Sequence, residues 1–422
     1  MSKRLKSVVC VALCWWMPRV AWAEETPSCE RVTRANLVSC ALVASLTVRS
    51  EQKSEEALRG RRTAVGSVLP SNPVLALSAA RREAKATEPT ATNWYATLSQ
   101  ELEIAGQRGA RVDAADLELS AQSKTTLLRK RETAAGAWRS YFDAIAAREL
   151  QVLMEDLFRA SERMATVSRA RAEKGLSAVL EADLAEAVSF RALQRKTEAD
   201  RAVLTADANL AFLLGRDGTQ AQPVDGALLP LAGVPDGGDG KGRRLEIAIA
   251  EDQQKANAAR ASAYRRSRVP NPTLSVFAQN DGFNERVYGL GLSFPIPLPS
   301  PVGRTFAGEI AESEALAQRA ELDRQRAVRD VKLDRANAYA SYRAHKQLVE
   351  NLTTERVKRA KGSLRDLSTE IESGRLAVRD ALLAQQTLIE LLEADITERR
   401  ALCFASVQVA EALGLSLEEG SR

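Results

Sequence analysis

The sequence predicts a mainly α-helical chain with a small β part, laid out as two copies of one plan. Three observations carry that expectation. Asn72-Pro73-Val74-Leu75 returns as Asn271-Pro272-Thr273-Leu274, Gly175-Leu176-Ser177-Ala178-Val179 as Gly374-Arg375-Leu376-Ala377-Val378, and Leu213-Leu214-Gly215 as Ala412-Leu413-Gly414, each about 199 positions on. Landmarks recurring in one register mark an internal duplication. Aromatic residues are 5% of the chain and charged residues 27%, and alanine is abundant, a mixture suited to long helices rather than a thick globular core. Four short segments leave the helical period and alternate strictly, as strands do.

Residues 1–23 read as a secretory signal. Lys3, Arg4 and Lys6 precede a short apolar run from Val8 to Met17, and Ala21-Trp22-Ala23 fits a signal-peptidase site, with Glu24 as the mature start. Pro18 and Arg19 leave that run far short of the roughly 18–20 residues a spanning helix needs. The formal net charge is +5. Without the four basic residues of the signal the mature chain is near about +1, so its basicity does not point to nucleic acid. Cys29 and Cys40 either close a local disulfide in an oxidising compartment or remain thiols; their spacing allows both.

The first repeat, 24–215, and the second, 243–415, each open with an Ala-, Arg- and Glu-rich helix, over about 41–67 and 243–267. These end at Leu69-Pro70 and Val269-Pro270, because proline lacks an N–H and crowds the residue before it. A hairpin follows in each copy. Trp94, Ala96, Leu98, Leu102 and Ile104 alternate with Tyr95, Thr97, Ser99, Glu101 and Glu103. Leu75, Leu77 and Ala79 alternate less sharply with Val74, Ala76 and Ser78. In the second copy Leu274, Val276 and Ala278 oppose Thr273, Ser275 and Phe277, and Tyr288, Leu290, Leu292 and Phe294 oppose Val287, Gly289, Gly291 and Ser293, with a loop at Asp281-Gly282-Phe283-Asn284.

Next come very long helical stretches, about 109–174 and 305–373, each on the order of 100 Å at 1.5 Å per residue. Leu150, Leu153, Leu157, Ala160, Met164 and Val167 form a 3-4 seam of the coiled-coil kind. Gly175 and Gly374 mark the reversals. The returning helices carry Ala199, Val203, Ala206, Leu210 and Leu213, then Ala377, Ala381, Ala384, Leu388 and Leu391. A Gly-, Pro- and Asp-rich linker (216–242) joins the repeats, and 416–422 is a tail.

The strands have the length, about 9–11 residues, and the alternation of outer-membrane barrel strands. Four cannot close a barrel, and open edges are not tolerated in lipid. Three copies donating four strands each would give a closed barrel of twelve. The competing reading is a soluble β layer capping a coiled coil. In the barrel, Tyr95, Thr97, Ser99, Glu101, Thr273 and Ser275 face the lumen, and Trp94, Leu98, Leu290, Leu292 and Phe294 face lipid. A one-residue slip would send Glu101 into lipid at a cost of a few kcal/mol.

On these residues the chain resembles the TolC-type outer-membrane efflux proteins. The resemblance rests on Asn72-Pro73, Gln100-Glu101-Leu102-Glu103-Ile104 leading to Gln107-Arg108, and Arg171 to Gly175 with Leu176-Ser177. In the second copy it rests on Pro270-Asn271-Pro272, Phe294-Pro295-Ile296-Pro297-Leu298, Arg304, and Gly374 through Ala384. The Phe-Pro-Ile-Pro-Leu stretch is similar to the heavy-metal cation efflux branch. The resemblance implies a homotrimer with a twelve-stranded barrel in outer-membrane lipid and an α-helical tunnel across the periplasm. It also implies a periplasmic adaptor and an inner-membrane pump, of the RND type, as partners.

By the same resemblance, an acid six residues after each turn glycine narrows the tunnel. Those positions hold Glu181 and Asp380, with Asp183 nearby; a family acid nine residues after the second glycine is Leu383 here. The tips Gly175, Leu176, Ser177, Gly374, Arg375 and Leu376 correspond to the adaptor-docking turns. Rings of carboxylates would make the constriction attractive to cations. His345, the single histidine, lies in a helix and reads as a surface residue. No acid–base–nucleophile set, no metal-ligand spacing and no phosphate-cradling glycine loop stands out, so neither an enzyme nor a cofactor is expected. A soluble periplasmic coiled-coil adaptor or scaffold is the competing function. The exported substrate is not written in the sequence.

Overall fold

The computed structural model describes residues 29–82, 91–218, 224–235, 244–280, 285–298 and 301–417. The signal segment, the loop at 281–284 and the end of the tail lie outside the described residues. The elements run α1 (Leu37–Ala44), α2 (Leu46–Val65), β1 (Val74–Arg82), β2 (Ala91–Glu101), α3 (Gln107–Glu173), α4 (Val179–Leu213), α5 (Leu245–Arg266), β3 (Thr273–Asn280), β4 (Arg286–Ser293), α6 (Ala307–Asn351), α7 (Thr354–Glu372) and α8 (Val378–Leu413). Among the described residues no helix is long and apolar enough to cross a membrane.

Two expected helices are each divided. The helix expected over 41–67 breaks at Ser45, whose Oγ accepts from the Val48 N–H at 3.3 Å and caps α2. The long helix expected over 305–373 breaks at Leu352 and restarts as α7, where the Thr353 hydroxyl accepts from the Arg356 N–H at 3.4 Å. The corresponding stretch of the first copy lies inside α3, unbroken for 67 residues.

The four strands form one antiparallel sheet in the order β1-β2-β3-β4, so β2 on β3 joins the two copies. The register pairs Ser99 with Ser275 and Ser275 with Gly291, and on the other face Leu98 with Val276 and Val276 with Leu290. Side chains alternate across a strand. Tyr95, Thr97, Ser99, Thr273 and Ser275 therefore share one face, and Leu75, Leu77, Trp94, Leu98, Leu290 and Leu292 the other, the partition the alternation predicted. Leu77 and Leu290 are 73% and 77% exposed, a continuous uncovered apolar face of the kind that marks a lipid or protein contact. On the polar face the Phe277 ring lies over Gly289, where any Cβ would collide with it. An aromatic covering a strand glycine is a recognised way to hold a sheet together at such a gap.

The core sits at the middle of α3. Trp138, Tyr141 and Phe142 are fully buried; Trp138 stacks on Phe142 at 5.5 Å and meets Tyr141 edge-on at 5.6 Å. Two polar tips find backbone partners, as buried Trp and Tyr do. The Trp138 indole N–H donates to the Leu417 carbonyl at 2.9 Å, and the Tyr141 hydroxyl to the Asp225 carbonyl at 2.7 Å. The aromatic knot thus straps down both the linker and the C-terminal segment. Cys29 and Cys40 are joined in a disulfide, with Cα atoms 5.9 Å apart. Cys403 is a buried free thiol, its pKa pushed by burial up to about 12. His345 is less open than a surface residue, since Nδ1 lies 2.7 Å from Glu398 Oε2 across the α6–α8 contact.

Candidate channel constriction

Both tips are built from the same backbone device. At the end of α3, Gly175 has φ +69°, and the N–H groups of Leu176 and Gly175 donate to Arg171 and Ala172 carbonyls at 2.9 and 3.0 Å. At the end of α7, Gly374 has φ +73°, and Arg375 and Gly374 donate to Glu370 and Ile371 carbonyls, both at 3.0 Å. This pair of bonds around a left-handed glycine is the Schellman cap, which stops a helix and turns the chain. The next helices start after Ala178 and Ala377, both extended. Glu181 and Asp380 therefore each occupy the third position of a new helix. A carboxylate there faces unpaired N–H groups and the positive end of the helix dipole, worth about 0.3–1 kcal/mol. Each acid thus has a local structural reason to be present, alongside any role in conduction.

The two tips touch: the Arg171 guanidinium donates to the Ile371 carbonyl at 3.1 Å. Around them the candidate residues divide. Asp183 is paired with Arg169 at 3.2 Å, and Arg169 also holds Glu186 at 2.5 Å. The hydrogen bond to Glu186 is the main reason the Arg169 pKa is raised. Asp183 is thereby drawn into the α3–α4 hairpin, which leaves Glu181 and Asp380 as the less encumbered acids. Asp380 is exposed and lines a cleft of about 510 Å³ between α3, α4 and α8, together with Arg191, Arg195, Arg379, Leu184 and Leu383.

The candidate docking turns differ in exposure. Leu176 is 63% exposed, with Val179 and Leu180 open beside it, and Ser177 is half-buried. In the second tip Leu376 packs against the core and Val378 is buried, while Arg375 stays exposed beside Glu370 at 3.7 Å. Sequence reasoning missed the clamp by Arg169 and the arginines of the cleft. Arg191 and Arg195, four apart on α4, share one helix face, and that spacing was the available signal.

The family profile of outer membrane efflux proteins (OEP) matches residues 37–216, from α1 through the end of α4. Over that part the chain is similar to the outer membrane efflux proteins. The nickel-cobalt-cadmium resistance protein NccC of Alcaligenes xylosoxydans xylosoxydans is 28% identical to this chain over 204 residues, 48% of this chain and 46% of NccC. The match thus spans about half the length of that relative. Solved structures share the fold almost end to end. The outer membrane protein VceC of Vibrio cholerae superposes with a TM-score of 0.75 at 18% identity, covering 91% of this chain and 97% of VceC. The Campylobacter jejuni CmeC outer membrane channel gives 0.76 at 14% identity, covering 97% and 94%. The fold is shared with solved outer membrane channels. Members of the family form trimeric channels that work with adaptor and pump partners.

Proposed function

We propose that this chain is the outer-membrane channel of a tripartite efflux system, a passive conduit fed by a periplasmic adaptor and an inner-membrane pump of the RND type. The observation that carries the reading is the four-stranded sheet with one polar and one exposed apolar face and two unpaired edges, set on a body of two long helical hairpins. Lipid does not tolerate open edges, so the sheet calls for companions, and three chains supply twelve strands. The mass of the detergent-solubilised chain tests it. Three protomers in a membrane fraction are expected; a monomer in the soluble periplasm would favour the adaptor or scaffold reading instead.

The cargo reading follows from NccC, a resistance protein for nickel, cobalt and cadmium, and makes heavy-metal cations the substrate class. Glu181 and Asp380 then form carboxylate rings at the periplasmic tip, raising the local concentration of cations at the narrowest point. The turns at Gly175-Leu176-Ser177 and Gly374-Arg375-Leu376 receive the adaptor. Asp380→Ala should raise single-channel conductance in planar bilayers, because an ion-binding constriction is removed; unchanged conductance and cation selectivity would reject the gate.

A further inference from the structure

One chain already contains the contact that a second chain would repeat. In it α3 of the first copy packs against α5 of the second, and β2 pairs with β3. The faces left uncovered are α2 and β1 on one side, α6 and β4 on the other. By the duplication, α2 stands where α5 stands, about 199 residues earlier, and α6 where α3 stands, about 199 later. A neighbour seated on α6 by the internal contact therefore presents its α2. This step rests on the trimeric channel proposed above and specifies how its protomers meet.

The strands provide a check that does not depend on the helices. Val74 pairs with Ser99, and its duplicate Thr273 pairs with Ser293, 194 positions after Ser99 because the second hairpin is shorter. Carrying the internal pair Ser99–Ser275 forward matches Ser293 with Ala76 of the neighbouring chain, Leu292 with its Leu77 and Leu290 with its Ala79. Each of these leucine pairs falls on the apolar face, where a slip of one residue would set apolar against polar.

The helices add charge complementarity. Inside the chain, Lys124 on α3 is ion-paired with Asp252 on α5, and the Ser120 hydroxyl donates to the same carboxylate at 2.6 Å. At the duplicated positions Asp323 replaces Lys124, Lys53 replaces Asp252, Arg319 replaces Ser120 and Glu56 replaces Lys255. The sign is inverted at the three charged positions, and Arg319 adds a cation where Ser120 is neutral. We infer that Lys53 and Glu56 on α2 of one protomer meet Asp323 and Arg319 on α6 of its neighbour, an inverted copy of the internal Lys124–Asp252 contact. Among the described residues of the single chain these side chains pair on their own helices, Lys53 with Glu56 at 2.7 Å and Arg319 with Asp323 at 3.9 Å. The side chains of Lys53 and Arg319 are each 77% exposed. Leu46 and Leu333 are likewise 77% and 60% exposed, at the places of Leu245 and the buried Ala134.

The inversion acts on specificity. A neighbour docking α2 on α3 would set Lys53 against Lys124, and α5 on a foreign α6 would set Asp252 against Asp323. Like charges disfavour both, so copies alternate around the ring.

The test joins Lys53→Cys and Asp323→Cys with a short bis-maleimide in the detergent-solubilised full chain. The disulfide of Cys29 with Cys40 and the burial of Cys403 keep native thiols out of the reaction. Covalent dimers and trimers are expected on a denaturing gel from the double variant, and monomers alone from either single variant. In parallel, Lys53→Asp should lower trimer recovery at low salt by about three- to five-fold, in line with surface ion-pair strengths, and adding Asp323→Lys should restore it. A three-chain particle that neither cross-links nor responds to Lys53→Asp overturns the latch while leaving the channel standing. A wild-type chain of monomer mass overturns both.

Discussion

The two copies agree in their turns and disagree in their surfaces. Gly175 and Gly374 stop their helices with the same pair of hydrogen bonds, and Gly215 and Gly414 close the returning helices in the same way. Between these fixed points the sequences have diverged. The first long helix is unbroken and holds the buried Trp138, Tyr141 and Phe142; the second carries Asn337, Ala340 and Ser341 at those positions and breaks before α7. The first tip exposes Leu176, Val179 and Leu180, whereas the second turns Val378 inward. A duplicated chain must keep the backbone conformations that only glycine adopts freely. It is free to exchange side chains wherever a different neighbour can accept them.

That contrast is open to measurement. The largest effect should come from the knot: Trp138→Ala should destabilise the protein by about 3–5 kcal/mol. Its duplicate Asn337→Ala, at an exposed position, should stay within about 0.5 kcal/mol. Denaturant unfolding in detergent reads both, and comparable losses would mean that the copies share the core equally. At the tips the copies should instead behave alike. Gly175→Ala and Gly374→Ala should each cost about 1–2 kcal/mol for the left-handed backbone, read as faster hydrogen exchange of the neighbouring amides. A cost at one tip only would break their equivalence.

The break in the second copy predicts a smaller, one-sided effect. Thr353→Ala should weaken the start of α7 by about 1 kcal/mol, roughly five-fold in the exchange of its first-turn amides, while α3 is unaffected. The smallest effect concerns the contact between copies. Burial opposes ionisation of Asp252, but the hydrogen bonds from Lys124 and Ser120 outweigh it and hold its pKa below the ordinary value. A depressed carboxylate pKa gives stability that is present above the unfolded-state pKa and lost as pH falls through the folded one. Asp252→Asn should therefore cost under about 1 kcal/mol at neutral pH, and the gap to wild type should shrink in acid. A gap that persists in acid would show that the charge is not what joins α3 to α5.

Much of this architecture was legible in the residues because its causes are local. Alternation in Trp94–Leu98 and Tyr288–Leu292 separated the faces of the sheet, and the proline and glycine positions bounded the helices closely. The break at Leu352 was read through because the apolar seam continues past it: Ala360, Leu364, Leu367 and Ile371 are all buried at helical spacing. Only the unfavourable run Asn351-Leu352-Thr353-Thr354 signalled a stop, and periodicity outvoted it. The break at Ser45 was hidden in the same way. At the helix tips, Glu181, Asp183 and Asp380 stand out as acids in the sequence but their partners do not.

By itself, then, the sequence determined the duplicated plan, the caps and the faces of the strands, since each depends on residues within a few positions of one another. Tertiary structure alone decided that Cys29 and Cys40 are close enough to bond. It also decided that Arg169 takes Asp183, and that Arg171 reaches Ile371 some 200 residues away. The disulfide depends on how the segment ahead of α1 folds back onto it, and the two arginine contacts on which helices lie side by side, which the packing of the hairpin pair sets.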